Sequence, residues 1–339
     1  MLAIDGSQGE GGGQVLRTSL TLACLTQTPI QITNIRAQRP KPGLQAQHLQ
    51  AVRAAAAISQ AKVSGDKLGS QSLYFKPSPI RPGEYRFDIG TAGATTLVLQ
   101  TIFLPLCFAD GVSHVTITGG THVSWSPAFH YLDGHWLPIL HQMGIGASLK
   151  LDRAGFYPPG GGQIRAEIHP VENVMPIRWT ERGQLLGIRG LSGSANLPAH
   201  VAQRQRDRAI QRLGKLVKID LLAMSAPSPG SMLLLQAEYE QGGGCYIGLG
   251  KKGKPAEQVA EEAAASLEKF MVTPATTDEY LADQLLLPFA LAGGVSEIHT
   301  VEVTRHLLTN AAVIEQFDRA AITIEGTLGL SGRVRVDPR

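Results

Sequence analysis

Cysteine is scarce in this chain. Its 339 residues hold only Cys24, Cys107 and Cys245. They stand far apart, with no CxxC and no Cys/His ligand spacing, so neither a disulfide framework nor a cysteine-based metal site has support. Two lie in apolar runs, TLACLT and PLCFAD, which predicts buried, reduced thiols. Long apolar runs are missing too. None reaches the roughly 20 residues that span a bilayer. Met1–Gln8 has no basic segment leading into an apolar one, so no signal peptide is expected and the default location is the cytoplasm. Charge of one sign is also lacking. Lys and Arg number 31 against 28 Asp and Glu, and a net +3 is too small to argue for nucleic acid by itself. With 43% hydrophobic and 17% charged residues, the chain reads as an ordinary folded globular protein.

What the chain has in abundance is glycine, 38 residues, many of them clustered. Clusters stand in GSQGEGGGQ (Gly9, Gly11, Gly12, Gly13), in GTAGATT (Gly90, Gly93), in YPPGGGQ and in QGGGC. Such clusters break regular structure and let backbone approach a ligand closely. They also mark a repeat. Gly6–Thr26 is a Gly-rich loop running into an apolar helix, and Gly90–Asp110 does the same. Alternating strands follow, Ile30–Ile35 and His114–Thr118. Second helices come next, Leu44–Ile58 and Pro127–Met143, and then hairpins, Ala61–Lys76 and Ala147–Ile168. A shorter third copy has helix Tyr280–Leu291, strand Glu297–Val303, helix Leu307–Phe317, and a hairpin from Ala321–Gly326 and Gly332–Val336.

Between the second and third copies the pattern stops. Roughly Arg182–Thr273 reads as strand Leu185–Leu191, helix Pro198–Leu213, strands Lys218–Met224, Ser231–Glu240 and Cys245–Leu249, then helix Pro255–Phe270. We expect residues 1–181 and 274–339 to form one large α+β body of three repeated units, with 182–273 as a small inserted α/β domain. Arg204, Arg206, Arg208 and Arg212 charge the insert's first helix, as a solvated face or as one turned to RNA.

Four segments carry candidate chemistry. In DGSQGEGGGQVLR a Gly-rich loop feeds a helix start, a good anion site, although no GK[ST] is present. Glu10, a carboxylate among glycines, suits a metal or a ribose hydroxyl. Arg17, one turn into the helix, reaches back to a phosphate or is solvated. In Arg36-Ala37-Gln38-Arg39-Pro40-Lys41-Pro42 three cations are locked by two prolines, a preset phosphate clamp or a basic surface loop. His306, just after a strand and opening a helix, is a poor core residue and suits nucleophile or base work near neutral pH. In Asp278–Gln284 an acidic residue followed by an aromatic at a helix start serves either a metal or hydroxyl beside a stacked base, or simple helix capping. A second basic cluster, Lys251, Lys252 and Lys254, reads either as a solvated loop or as a patch for nucleic acid. The remaining histidines show no ligand spacing and read as structural or solvated.

Taken in order, DGSQGEGGGQVLRT, IRAQRPKPGLQAQHL, GTAGATTLVLQT, GFYPPGGG, EYLADQLLLPFALAG and HLLTN resemble the RNA 3′-terminal phosphate cyclase family across nearly the whole chain. The resemblance implies three two-helix, four-strand units like the C-terminal domain of a bacterial translation initiation factor, and a thioredoxin-like insert. It implies ATP-dependent conversion of an RNA 3′-phosphate to a 2′,3′-cyclic phosphodiester, through a covalent histidine–AMP and an RNA-3′-pp-5′-A end. It also implies a divalent metal, magnesium or manganese. Carried over by position, His306 is the nucleophile. Tyr280 stacks on adenine with Pro127 opposite. Gln100, Leu281, Ala282, Asp283 and Gln284 lie in the ATP-binding segments. Glu10 sits near metal and ATP. Arg17, Arg36, Arg39 and Gln47 line the phosphate and RNA-end site. Phosphorylated DNA ends are possible side substrates. The chain departs from the family at His122, after Gly119-Gly120-Thr121, where Asn or Asp is usual. Related scaffold proteins have lost the catalytic histidine, and the presence of His306 speaks against that reading. An enolpyruvyl-transfer enzyme with a similar repeated unit is the other rival, and it would keep no covalent mark from ATP.

Overall fold

Each of two Gly-rich loops is preceded by a short strand. In the computed structural model, which describes every residue except 215 and 216, these strands are β1 (Leu2–Asp5) and β5 (Glu84–Asp88). After β1 come α1 (Gly13–Thr26), β2 (Ile30–Thr33), α2 (Ala46–Ser59), β3 (Lys62–Ser64) and β4 (Leu73–Lys76). After β5 come α3 (Thr95–Cys107), β6 (Ser113–Gly119), a helical stretch from 129 to 142, β7 (Ala147–Arg153) and β8 (Gly162–Ile168). The sheets run β1-β2-β4-β3 and β5-β6-β8-β7, with the first pair parallel and the others antiparallel.

The stretch expected as one helix over Pro127–Met143 is broken. It consists of α4 (Phe129–Tyr131), a π-helical turn (Leu132–Trp136) and α5 (Leu137–Gln142). Pro138 has no N–H to give to the residue four back, and the Leu137 N–H bonds instead to the carbonyl of Leu132, five back. The wider turn buries His135 and Trp136.

After β9 (Arg178–Trp179) the chain forms β10 (Leu185–Ala195), α6 (His200–Leu213), β11 (Lys218–Ala223), β12 (Gly230–Tyr239), β13 (Gly243–Leu249) and α7 (Ala256–Met271). Their sheet order is β11-β10-β12-β13. α8 (Glu279–Ala290), β14 (Ser296–Thr300), α9 (Arg305–Gln316), β15 (Ala320–Gly326) and β16 (Gly332–Pro338) then return to β9 in the order β15-β16-β14-β9. Again one pair, β9 with β14, is parallel and the rest are antiparallel.

The helices of the three like sheets share one apolar core. Leu16 and Leu20 of α1, Val98 and Ile102 of α3, Leu285 of α8 and Ile314 of α9 all belong to it. The run MLLLQA explains how β12 is placed. Its Met232 and Leu234 face this core, while Leu233 and Leu235 pack under α6 and α7, so both faces are buried. Among the described residues no helix is long and apolar enough to cross a membrane. The three cysteines are buried and unpaired, and burial pushes the Cys24 thiol up to about 12.

Candidate active site

Where α1, α3, α8 and α9 converge under β13, a cavity of about 840 Å³ opens. Its walls bring together Arg17, Arg39, Gln100, Pro127, Tyr280, Asp283, Gln284 and His306. These residues span nearly 300 positions of sequence, and only the shared helical core places them together.

The glycine loop is fastened to α9. The Glu10 N–H donates to Thr309 Oγ1 at 2.9 Å, and Thr309 Oγ1 in turn donates to the Arg305 carbonyl at 2.7 Å. Gly9 has φ of +61°, and a Cβ there would overlap Thr309 Oγ1. A Cβ on Gly13 would overlap the buried His48 ring. The loop thus needs glycine because α2 and α9 press against it. Glu10 points into the cluster. Its carboxylate pairs with Arg39 and accepts from the Gln14 N–H at 3.3 Å. Among the described residues no group of three or more His, Cys, Asp or Glu is placed to hold a metal. A lone carboxylate of this kind suits a metal whose other ligands are phosphates and water.

His306 stands in the first turn of α9, which Thr304 caps by accepting the Leu307 N–H at 3.0 Å. The ring is exposed at the cavity wall. Partial desolvation holds its pKa below the ordinary histidine value, with Arg17 and Arg39 acting in the same direction and Glu10 opposing. The imidazole is neutral at pH 7, with a free lone pair, next to helix-end N–H groups that favour anions. Arg17 lies across α1, with Nη2 donating to Gln14 Oε1 at 2.6 Å. Burial lowers its pKa, and Glu10 and Asp283 oppose the shift.

Tyr280, Asp283 and Gln284 are i, i+3 and i+4 on α8 and share one face. Tyr280 is 54% exposed. Gln284 Oε1 accepts from Gln100 Nε2 at 2.6 Å, which joins α8 to α3. Burial pushes the Asp283 carboxyl up to about 7, with Asp278 and Glu10 adding to the shift and Arg17 opposing it. Leu281 and Ala282, expected at the nucleotide, are instead fully buried core residues. They sit a quarter-turn and more from Tyr280, so their side chains face the helix bundle. Both carboxylate oxygens of Asp278 have protein partners. Its Oδ1 accepts the N–H of Tyr280 at 3.0 Å, the N–H of Leu281 at 2.8 Å and the Tyr131 hydroxyl at 2.8 Å. Its Oδ2 accepts the Cys245 N–H at 3.1 Å and lies 2.8 Å from His135 Nε2. Capping is the outcome, in a form that ties together α8, the π turn and β13.

Glu10, Arg36 and Gln47 do not line the cavity. Arg36 uses Nη1 on its own loop, donating to the Lys41 and Gly43 carbonyls at 2.7 and 2.8 Å, so it braces the proline loop. Gln47 Oε1 accepts the Ala94 N–H at 2.9 Å and links α2 to the second glycine loop. The insert's arginines stand in ion pairs. Arg204 pairs with Glu257, Arg208 with Glu261, and Arg212 with Glu261 and Glu268 of α7, while Arg206 pairs with Asp207. Three of these arginines join α6 to α7, and Arg206 pairs within α6.

The sequence matches the family described as RNA 3′-terminal phosphate cyclase over residues 8–324. The chain belongs to this family. A relative named RNA 3′-terminal phosphate cyclase from Nostoc punctiforme is 48% identical over 334 residues, covering 96% of each chain. One from Ralstonia nicotianae is 46% identical over 325 residues, covering 96% of this chain and 93% of the relative. One from Pyrococcus furiosus is 43% identical over 350 residues, covering 99% and 98%.

Two residues of this cyclase-family site, His48 and Asn310, are not singled out by motif. His48 supports the glycine loop, and Asn310 joins Thr18 Oγ1 to the Asp283 carbonyl through 2.7 Å bonds. His122 is buried and lies 2.8 Å, Nε2 to Nδ1, from His130. Burial lowers both pKa values, His130 to about 4, so this pair is neutral and structural. The only signal for Asp278 is its place just before a helix, where an acidic cap is common.

Proposed function

We propose that this protein is an ATP-dependent RNA 3′-phosphate cyclase. The observation that carries the reading is His306, neutral and accessible at a helix start, in one cavity with Arg17, Arg39, Tyr280 and Asp283. In the first step the His306 nitrogen attacks the α-phosphorus of ATP. A P–N bond forms, the α–β anhydride breaks and pyrophosphate leaves. In the second step an oxygen of the RNA 3′-phosphate attacks the same phosphorus. The histidine departs protonated, leaving a 3′-pp-5′-A end. In the third step the neighbouring 2′-hydroxyl attacks the terminal RNA phosphorus and expels AMP, and its tethering supplies much of the acceleration. Arg17 and Arg39 are placed to neutralise charge on the phosphoryl oxygens. A divalent metal, held by Glu10 together with nucleotide phosphates, would supply further charge neutralisation. Tyr280 and Pro127 flank the adenine, and Gln100, Asp283 and Gln284 complete the nucleotide side.

The three sheets of like order fit three repeats, with 182–273 inserted as a thioredoxin-like domain between β9 and α8, and 1–181 with 274–339 forming the catalytic body. Reduced, buried thiols suit a cytoplasmic enzyme. Adenylation needs no 2′-hydroxyl but cyclisation does, so a DNA 3′-phosphate would be capped with AMP and go no further. The test is to incubate 3′-phosphorylated RNA with the protein, ATP and magnesium. The terminal phosphate should become resistant to phosphatase and AMP should be released in equal amount. RNA that keeps a phosphatase-sensitive end with every nucleotide and metal overturns the reading.

A further inference from the structure

Of the chain's three tryptophans, Trp136 and Trp179 are buried at 3% and 8% exposure, whereas Trp125 is 99% exposed. Trp125 also has φ of +67°, an unusual backbone for so large a side chain. Its loop is held in that form. Ser126 Oγ donates to the Val123 carbonyl at 3.1 Å, and Thr96 Oγ1 donates to the Pro127 carbonyl at 2.7 Å. A loop that presents a bare indole to water forgoes hydrophobic burial, and the indole stands on the wall of the same cavity as His306. Lys251 lies on that wall too, with Lys252 exposed beside it in the chain. Among the described residues neither lysine has a carboxylate within 4.0 Å, whereas Lys254 is paired with Glu262.

We infer that Trp125, with Lys251 and Lys252, is the platform on which a base near the 3′ end of the RNA stacks as the end enters the cavity. The inference rests on the proposed cyclase reading for the identity of the strand. A base has two faces, and Tyr280 and Pro127 take both faces of the nucleotide's base, so the indole is left for a second base. An exposed aromatic beside unpaired cations is how single-stranded nucleic acid is held without reading its sequence. The second basic cluster, which the sequence left open, thereby gains a role, since Lys251 and Lys252 offset backbone phosphates.

Trp136, also on the cavity wall, and Trp179 fluoresce as well, so the signal of Trp125 is the difference between wild type and Trp125→Ala. The probe is a 3′-phosphorylated RNA 10-mer added to the full-length protein without ATP, beside the same strand with an abasic terminal nucleotide. We expect saturable quenching by the intact strand and about tenfold weaker binding of the abasic one. Trp125→Ala should lose the quench and bind RNA about tenfold more weakly by anisotropy, and Trp125→Phe should recover most of the affinity. Replacing both lysines by alanine should reduce the slope of log Kd against log salt by about 1.4. Yield of AMP-labelled protein from ATP should not change in any variant. The inference is overturned if wild type shows no quench. It is also overturned if Trp125→Ala binds RNA like wild type, including the case where it loses AMP labelling and so belongs to the nucleotide's base. The fluorescence readout needs neither ATP nor turnover, so a failure of the cyclase chemistry is not mistaken for a failure of the stacking platform.

Discussion

Replacing Asp278 by asparagine changes one oxygen of a fully buried carboxylate into an NH₂ group. If the amide oxygen keeps the Oδ1 place, Tyr131, Tyr280 and Leu281 retain their acceptor. On the other side two groups now meet donors, His135 Nε2 and the Cys245 N–H. His135 can escape by moving its proton to Nδ1, provided Gln236, 3.2 Å away, turns its amide to offer oxygen. The Cys245 N–H has no such escape and stays buried without a partner, which costs about 1–3 kcal/mol. Loss of the charge-assisted bonds adds roughly 1 kcal/mol more. The expected destabilisation is therefore about 2–4 kcal/mol. At roughly 2–4 °C per kcal/mol it should lower the melting temperature by several degrees. Calorimetry and urea unfolding of the intact chain check it. Below the melting point, loosening the α8 cap should raise the KM for ATP through Tyr280 more than it lowers kcat. A melting temperature within about 1 °C of wild type, with unchanged KM, would refute the idea that Asp278 organises this junction.

Asp283 gives a pH prediction with a defined sign. Its carboxyl is pushed from an ordinary 3.8 up to about 7, so the folded state prefers the protonated form. The group's contribution is full below about 3.8 and fades as pH rises towards about 7, so wild type should lose stability relative to Asp283→Asn across that window and level off above it. Urea midpoints of both proteins at pH 4, 5.5, 7 and 8.5 decide the matter, and parallel curves would contradict the assigned shift. On the insert, Glu261→Gln removes the partner of Arg208 and Arg212, both about one-third exposed. The loss should be small and should shrink in high salt. Arg204→Ala should leave RNA affinity within twofold, and a tenfold loss would favour the RNA-facing face.

Periodicity and glycine punctuation make most elements legible, because an apolar helix of 12 to 14 residues such as α1 or α9 leaves a clear signal. The first strand of each like sheet leaves little. β9 has two residues and β1 four, too few for alternation to show. The π turn at Leu132–Trp136 follows from Pro138, a cue that is present but competes with strong apolar spacing around it. In the site, contiguous motif residues mislead. Tyr280 through Gln284 read as one binding string, yet helical geometry sends Leu281 and Ala282 to the core. Arg204, Arg208 and Arg212 repeat every four residues, and Glu257, Glu261 and Glu268 of α7 answer them across 49 to 56 positions. The acidity of α7 has an adequate local explanation in the helix dipole, which hides that pairing. Asp278 gathers partners up to 147 positions away, and no local pattern reports such a junction.

The most direct test of the central claim is covalent. Protein is incubated with ATP labelled at the α-phosphate and with magnesium or manganese, then denatured and analysed. Transfer to His306 predicts a label on the protein that is labile to acid and stable to alkali, absent from His306→Ala, and discharged by 3′-phosphorylated RNA but not by RNA with a 3′-hydroxyl. No label with any metal, or equal labelling of His306→Ala, would contradict histidine–AMP catalysis.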